Sequence, residues 1–285
     1  MRWNFSWKDY GLQEWRCAQW CILPLAFLIY LDALFLSVRE EFNGIIVNAC
    51  AWLPCNWIEL KLTKYVLIVL FLVGAVFYFG KRWAVYGCLL LALCSFIVFS
   101  YYESFGMRGE YGLFVLLFLV QAVAYYRQKD SSSYKEHFQF SLQIIAAAYI
   151  LAGISKIVES GVVWFNEEAI NFVLQSYHAT YEKYSTYGVL AEHQRAEYIF
   201  NWMVENLYFT KFLLFLSIAL EIFSFVLVLG KKRAMYYGVL LIGFHIGIFI
   251  AFRLVLFTIV ISMIVLVFNP VYWIAKGFIK LKQAV

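Results

Sequence analysis

The chain has 285 residues, of which 64% are hydrophobic, 21% aromatic and only 14% charged, with a mean hydropathy of +0.75. A soluble domain carries about 25% charged residues, so this composition excludes an ordinary soluble fold and points to a polytopic membrane protein. A net charge of +5 and a pI near 8.7 do not imply a nucleic-acid partner, because membrane topology accounts for the basic residues first.

In chain order, the stretch from Met1 to Trp20 lacks a short apolar core followed by a small-residue cleavage site, and the first apolar run continues to Leu36. A retained span is expected there, with no cleavable signal peptide. Apolar windows of about 20 residues predict helices near 18–36, 64–80, 83–100, 111–126, 138–157, 211–229, 236–252 and 254–272. The expected fold is an all-α polytopic helical bundle, a single membrane domain over residues 1–285 with about eight transmembrane helices. Only Arg253 interrupts the last apolar stretch, so one long tilted helix with a re-entrant turn, giving seven spans, is the alternative.

The connections alternate in charge. Arg2, Lys8, Arg16, Lys81, Arg82, Arg127, Lys129, Lys135, Lys231, Lys232, Arg233, Lys276, Lys280 and Lys282 fall on one side, 14 of the 23 basic residues. The positive-inside rule makes that side, and both termini, cytoplasmic. Two outer loops, about 37–62 and 158–210, are long enough to hold structure, and Trp52 and Trp57 in the first suit the headgroup level. The cytoplasmic turns are short and basic, so function is expected to face outward.

Lys156 closes the apolar stretch Ala147 to Glu159, and an ammonium at a membrane helix centre costs about 3 kcal/mol, less toward the interface. Tyr149 and Lys156 are seven residues apart and share a helix face with Gly153 nearby, while Gln139 and Gln143 share another. One reading has the glutamines bonding to neighbouring helices, Gly153 permitting close packing and Lys156 snorkelling to the interface. The other places Lys156 beside a pocket, where partial drying makes its neutral amine a usable base.

Glu221 and His245 lie inside later spans and need partners, either each other and the glutamines as packing glue, or the wall of a shared cavity with Lys156. Arg253 reads as an interface anchor, with carboxylate or oxyanion binding as the alternative. Cys50 and Cys55, with four residues between them, are candidates for a structural disulfide in the outer loop; their spacing is not that of a redox-active dithiol. His178 and His193 lack ligand partners at a zinc-site spacing, and no metal is expected.

The segment Gln139 to Leu174 resembles the horizontally transferred transmembrane domain (HTTM), the membrane module related to vitamin K-dependent gamma-carboxylase. Glutamines are followed by Tyr149, then Ala152, Gly153 and Lys156 as AG-x-x-K, then Trp164 and Ala169. Glu221, GKKR and the later Phe-His pair resemble the second part of that module. The resemblance implies that the lysine matching Lys156 deprotonates a reduced quinone, that oxygen adds, and that the strong base so formed removes a proton from a substrate glutamate before carbon dioxide is captured. Three departures from the carboxylase are expected to matter: the large lumenal propeptide-binding region is not among these 285 residues, Phe165-Asn166-Glu167-Glu168 stands where a glycine usually follows the tryptophan, and no independent quinone-site motif is visible. Shorter members resemble bacterial membrane proteins needed to mature secreted peptide toxins.

The expected function is accordingly that of a multi-pass protein of the bacterial inner membrane that modifies or matures a secreted peptide, or acts on a lipid-soluble substrate. Lys156 is the expected base, with His245 and Glu221 positioning or sharing a proton and Tyr149, Gln143, Trp164 and Arg253 binding substrate. A reduced quinone is the cofactor implied by resemblance, and membrane lipid and an accessory membrane protein are the further partners. A non-enzymatic maturation, chaperone or immunity partner is the alternative, and a quinone-linked thiol oxidoreductase using Cys50 and Cys55 is a third.

Overall fold

The computed structural model describes residues 11–35, 57–58, 60–80, 82–103, 112–128, 134–160, 201–203, 205–252 and 257–284. Nearly all of these are helical and none is in a strand. Bare backbone donors and acceptors are costly in hydrocarbon, and a helix closes them within a single segment. In chain order the helices are α1 (Leu12–Phe35), α2 (Lys61–Phe79), α3 (Ala84–Glu103), α4 (Gly112–Arg127), α5 (Lys135–Ser160) and α6 (Leu207–Ile222). A 3₁₀ segment (Phe223–Val228) continues α6; then come α7 (Lys231–Phe252), α8 (Phe257–Met263) with a π-helical continuation (Ile264–Phe268), and α9 (Pro270–Ala284).

Five stretches are long and apolar enough to cross a bilayer: Leu12–Phe35, Lys61–Phe79, Ala84–Tyr101, Lys135–Val158 and Leu207–Val228. The pair Thr258–Phe268 and Pro270–Gly277, bent by 41°, makes a sixth if it is one span. The apolar helix α4 has 16 residues, about 24 Å of rise against about 30 Å of hydrocarbon. The chain is thus an all-helical protein compatible with a multi-pass membrane location, and five to six spans stand among the described residues where the sequence predicts about eight.

The last predicted span, 254–272, is interrupted. Asn269 adopts a left-handed conformation (φ 44°) and ends the π-helical segment, and Pro270 opens α9. Asparagine tolerates that region better than most residues, and proline is well suited to the first position of a helix.

The helices form two compact units, Met1–Ile145 with Ile261–Val285, and Ala146–Val260. In the first, α2 and α3 meet at glycines. A Cβ on Gly87 would come within 2.3 Å of the Tyr78 backbone nitrogen, and one on Gly74 within 3.1 Å of Leu91. Small residues give membrane helices this close approach. On α2, Leu67, Phe71, Gly74 and Tyr78 are buried while Leu62, Val66, Val69, Val73 and Val76 are exposed, so the outward face suits lipid rather than water.

At one end of this unit several polar side chains bond one another, while among the described residues neither ring nitrogen of buried His137 has a partner. Trp15 Nε1 and Gln19 Nε2 donate to Tyr125 Oη at 2.8 and 2.6 Å. Tyr78 Oη donates to Gln121, whose Nε2 donates to Ser141 Oγ at 3.1 Å. Asn269 Nδ2 donates to the Glu14 carbonyl at 2.7 Å, tying the break before α9 to the start of α1.

In the second unit, the part of α5 beyond Ile145 combines with α6, the 3₁₀ segment and α7. Buried Ser224 donates to the Ala146 carbonyl at 2.9 Å, and Tyr237 donates to the Leu220 carbonyl. These bonds tie the 3₁₀ segment to α5 and α7 to α6.

Candidate functional site

The site is built on the C-terminal half of α5. Tyr149, Gly153 and Lys156 recur close to every fourth residue, so a 3.6-residue helix brings them to one side. Gly153 is buried, and a Cβ there would meet Glu221 Cβ and Ile222 Cγ1, each at 3.1 Å. Its missing side chain therefore lets α5 approach α6 at the position of Glu221. That approach brings the lysine of one helix to the carboxylate of the other.

Lys156 Nζ donates to Glu221 Oε1 in a direct ion pair. The lysine side chain is 30% exposed and the glutamate 7%, so a partly exposed lysine is paired with a buried counter-charge. Two turns away along α5, Tyr149 Oη is hydrogen-bonded to His245 Nε2 of α7, with ring centroids 5.6 Å apart and both residues buried. Four ionisable or proton-bearing groups from three helices thus gather along one side of α5 as two bonded pairs.

The cluster has unused hydrogen-bonding capacity. Among the described residues neither Glu221 Oε2 nor His245 Nδ1 has a partner, although both are buried. If Tyr149 donates to Nε2, neutral His245 carries its proton on Nδ1; if Nε2 donates instead, Nδ1 is a bare acceptor. Chemically, proton transfer from Lys156 to Glu221 converts an ion pair into a neutral amine and a neutral acid without changing net charge. The arrangement therefore has a route to a free amine that places no isolated charge in hydrocarbon.

Of the residues expected to form the site, the structure joins Lys156, Glu221, Tyr149 and His245. It gives Glu221 and His245 partners from the α5 face rather than the glutamines. Gln143 lies on an exposed face of α5, six residues and hence about 240° from Tyr149. Trp164, Arg253, Cys50 and Cys55 lie outside the described residues, as do His178 and His193. Cys17, Cys21, Cys88 and Cys94 are free thiols.

A hollow of about 20 Å³, room for about one water, lies in the first unit with Tyr30, Ser95 and Phe114 in its wall; none of the four cluster residues lines it. Geometry and chemistry outweigh the hollow as a guide to function, because that wall is mostly apolar. The sequence alone does not single out Ser224, which fixes the 3₁₀ turn after Glu221, or the His137 environment, where Trp15, Tyr125 and Tyr134 rings lie 4.9, 4.3 and 5.1 Å from the imidazole. The signal for both was a polar residue within or beside an apolar window. No protein-family model matches the chain, and no curated protein or solved structure is significantly similar to it.

Proposed function

We propose that this chain is an eight-span protein of a bacterial inner membrane, with both termini cytoplasmic, that modifies or matures a secreted peptide or a lipid-soluble substrate from the outer side. Lys156 is the base. The observation that carries this reading is the pairing of a partly exposed Lys156 with buried Glu221, beside the bonded Tyr149 and His245. Glu221 takes the resting lysine proton; the freed amine accepts one from the substrate; His245 and Tyr149 hold the substrate's polar atom. Kinship with the horizontally transferred transmembrane domain, and a reduced quinone as the proton donor, belong to the same proposal and rest on the residues of α5 and its continuation.

The test is mass spectrometry of a small secreted peptide encoded beside this gene, produced with wild type and with Lys156→Ala. A lysine-dependent change in peptide mass is expected, and a gain of one carbon dioxide per glutamate would identify carboxylation. Identical peptide masses from the two strains, with the variant inserted at normal levels, would remove Lys156 from the chemistry.

A second reading is favoured by the contact of Gly153 with Glu221: the pair closes a helix seam in a non-enzymatic maturation, chaperone or immunity partner. Lys156→Ala then lowers stability in detergent and leaves the peptide's mass unchanged.

A further inference from the structure

We infer that α9 is an interfacial helix that binds the anionic phospholipid headgroups of the leaflet it lies on. It follows a helix break at Asn269 and departs from the preceding apolar segment by 41°. The tie from Asn269 to Glu14 fixes its start at the end of the first unit where α1 begins, and α9 packs on α1. It is thereby held where a membrane surface meets the bundle.

The sequence of α9, PVYWIAKGFIKLKQA, is strongly amphipathic. Apolar residues recur at 271, 274, 278 and 281, a spacing that gives one helical stripe. Val271 and Ile274 on that stripe are 41% and 60% exposed. Away from that stripe lie Tyr272, Trp273 and Lys276. The Lys276 ammonium sits 5.5 Å from the Tyr272 ring centre and 5.3 Å from that of Trp273.

From Pro270 to Val285 there are three lysines and no acidic residue. Exposed Val271 and Ile274, interfacial aromatics and a segment with three lysines and no acidic residue select an anionic lipid surface over water or zwitterionic lipid. The fifteen residues span about 22 Å, enough to lie across several headgroups.

The test uses the full chain in mixed phosphatidylcholine and phosphatidylglycerol vesicles, with brominated acyl chains on one lipid or the other. The fluorescence of Trp273 is taken as the difference between wild type and Trp273→Phe. At low salt, brominated phosphatidylglycerol is expected to quench that difference about twofold more than brominated phosphatidylcholine at equal mole fraction. High salt, and separately Lys276→Gln with Lys280→Gln and Lys282→Gln, should abolish the preference. Absence of quenching by either lipid would place α9 off the membrane, and equal quenching at low salt in the wild-type protein would remove the anionic preference; the wild-type comparison holds whether or not the triple variant folds.

Discussion

Lys156 is legible in the sequence because a cation at the end of an apolar run needs an explanation, and Glu221 and His245 stand out for the same reason. Their partners are not legible. Pairing Lys156 with Glu221 and Tyr149 with His245 depends on the rotation and separation of helices far apart in sequence, 65 and 96 residues respectively. Gln143 lies on another, exposed face of α5, as its helical phase relative to Tyr149 predicts. Tyr149→Phe removes one hydroxyl and leaves His245 Nε2 without its bond, at a cost of about 1–3 kcal/mol. It should lower the melting temperature in detergent and reduce product formation while Lys156 still pairs with Glu221. An unchanged melting temperature and full product would separate the tyrosine from the cluster.

Lys156→Ala and Glu221→Ala differ in kind. Losing one partner of a buried pair costs about 3–5 kcal/mol, but the exposure of Lys156 lowers this toward about 1–3 kcal/mol. Lys156→Ala strands a carboxylate buried at 5% exposure, whereas Glu221→Ala leaves a flexible lysine free to snorkel outward. Thermal unfolding in detergent should therefore rank Lys156→Ala as the less stable; the reverse order would contradict the burial of the glutamate.

Helical elements were predictable wherever apolar windows were long. Breaks were not, because they arise from tertiary contacts. Asn269 sits at the end of an apolar run that reads as uninterrupted helix, yet its side chain bonds Glu14 of α1 while its backbone turns left-handed. The role of Gly153 as a spacer was visible in outline, and its neighbours on α6 were not. Gly153→Val would force apart the two helices that carry Lys156 and Glu221, costing about 1–3 kcal/mol. Product formation should fall together with stability. Gly87→Val faces backbone at 2.3 Å in the other unit and should impair folding without a selective effect on the cluster, measured as reduced yield of monodisperse protein with the activity of the surviving fraction retained.

For the whole molecule, a composition with 64% hydrophobic residues points away from a soluble surface and apolar windows point to helices, and the described residues are nearly all helical with five to six stretches able to cross a bilayer. The number of crossings is harder to read, because α4 is short for a bilayer and the last helices are bent. The tie from Asn269 to Glu14 predicts that the start of α1 and the start of α9 lie at the same membrane face. Single cysteines placed at exposed Gln13 and Gly277, with all six natural cysteines replaced, should react with a membrane-impermeant maleimide from the same side. Labelling from opposite sides would overturn this arrangement.

The most direct measurement exchanges the charges. Lys156→Glu combined with Glu221→Lys preserves an ion pair between α5 and α6 but moves the amine to the other helix, away from its hydrogen-bonding surroundings. If Lys156 is the base, this double variant regains stability over either single variant, while mass spectrometry finds the secreted peptide unmodified. Full restoration of the mature peptide alongside restored stability would contradict that role and leave the pair as structural glue.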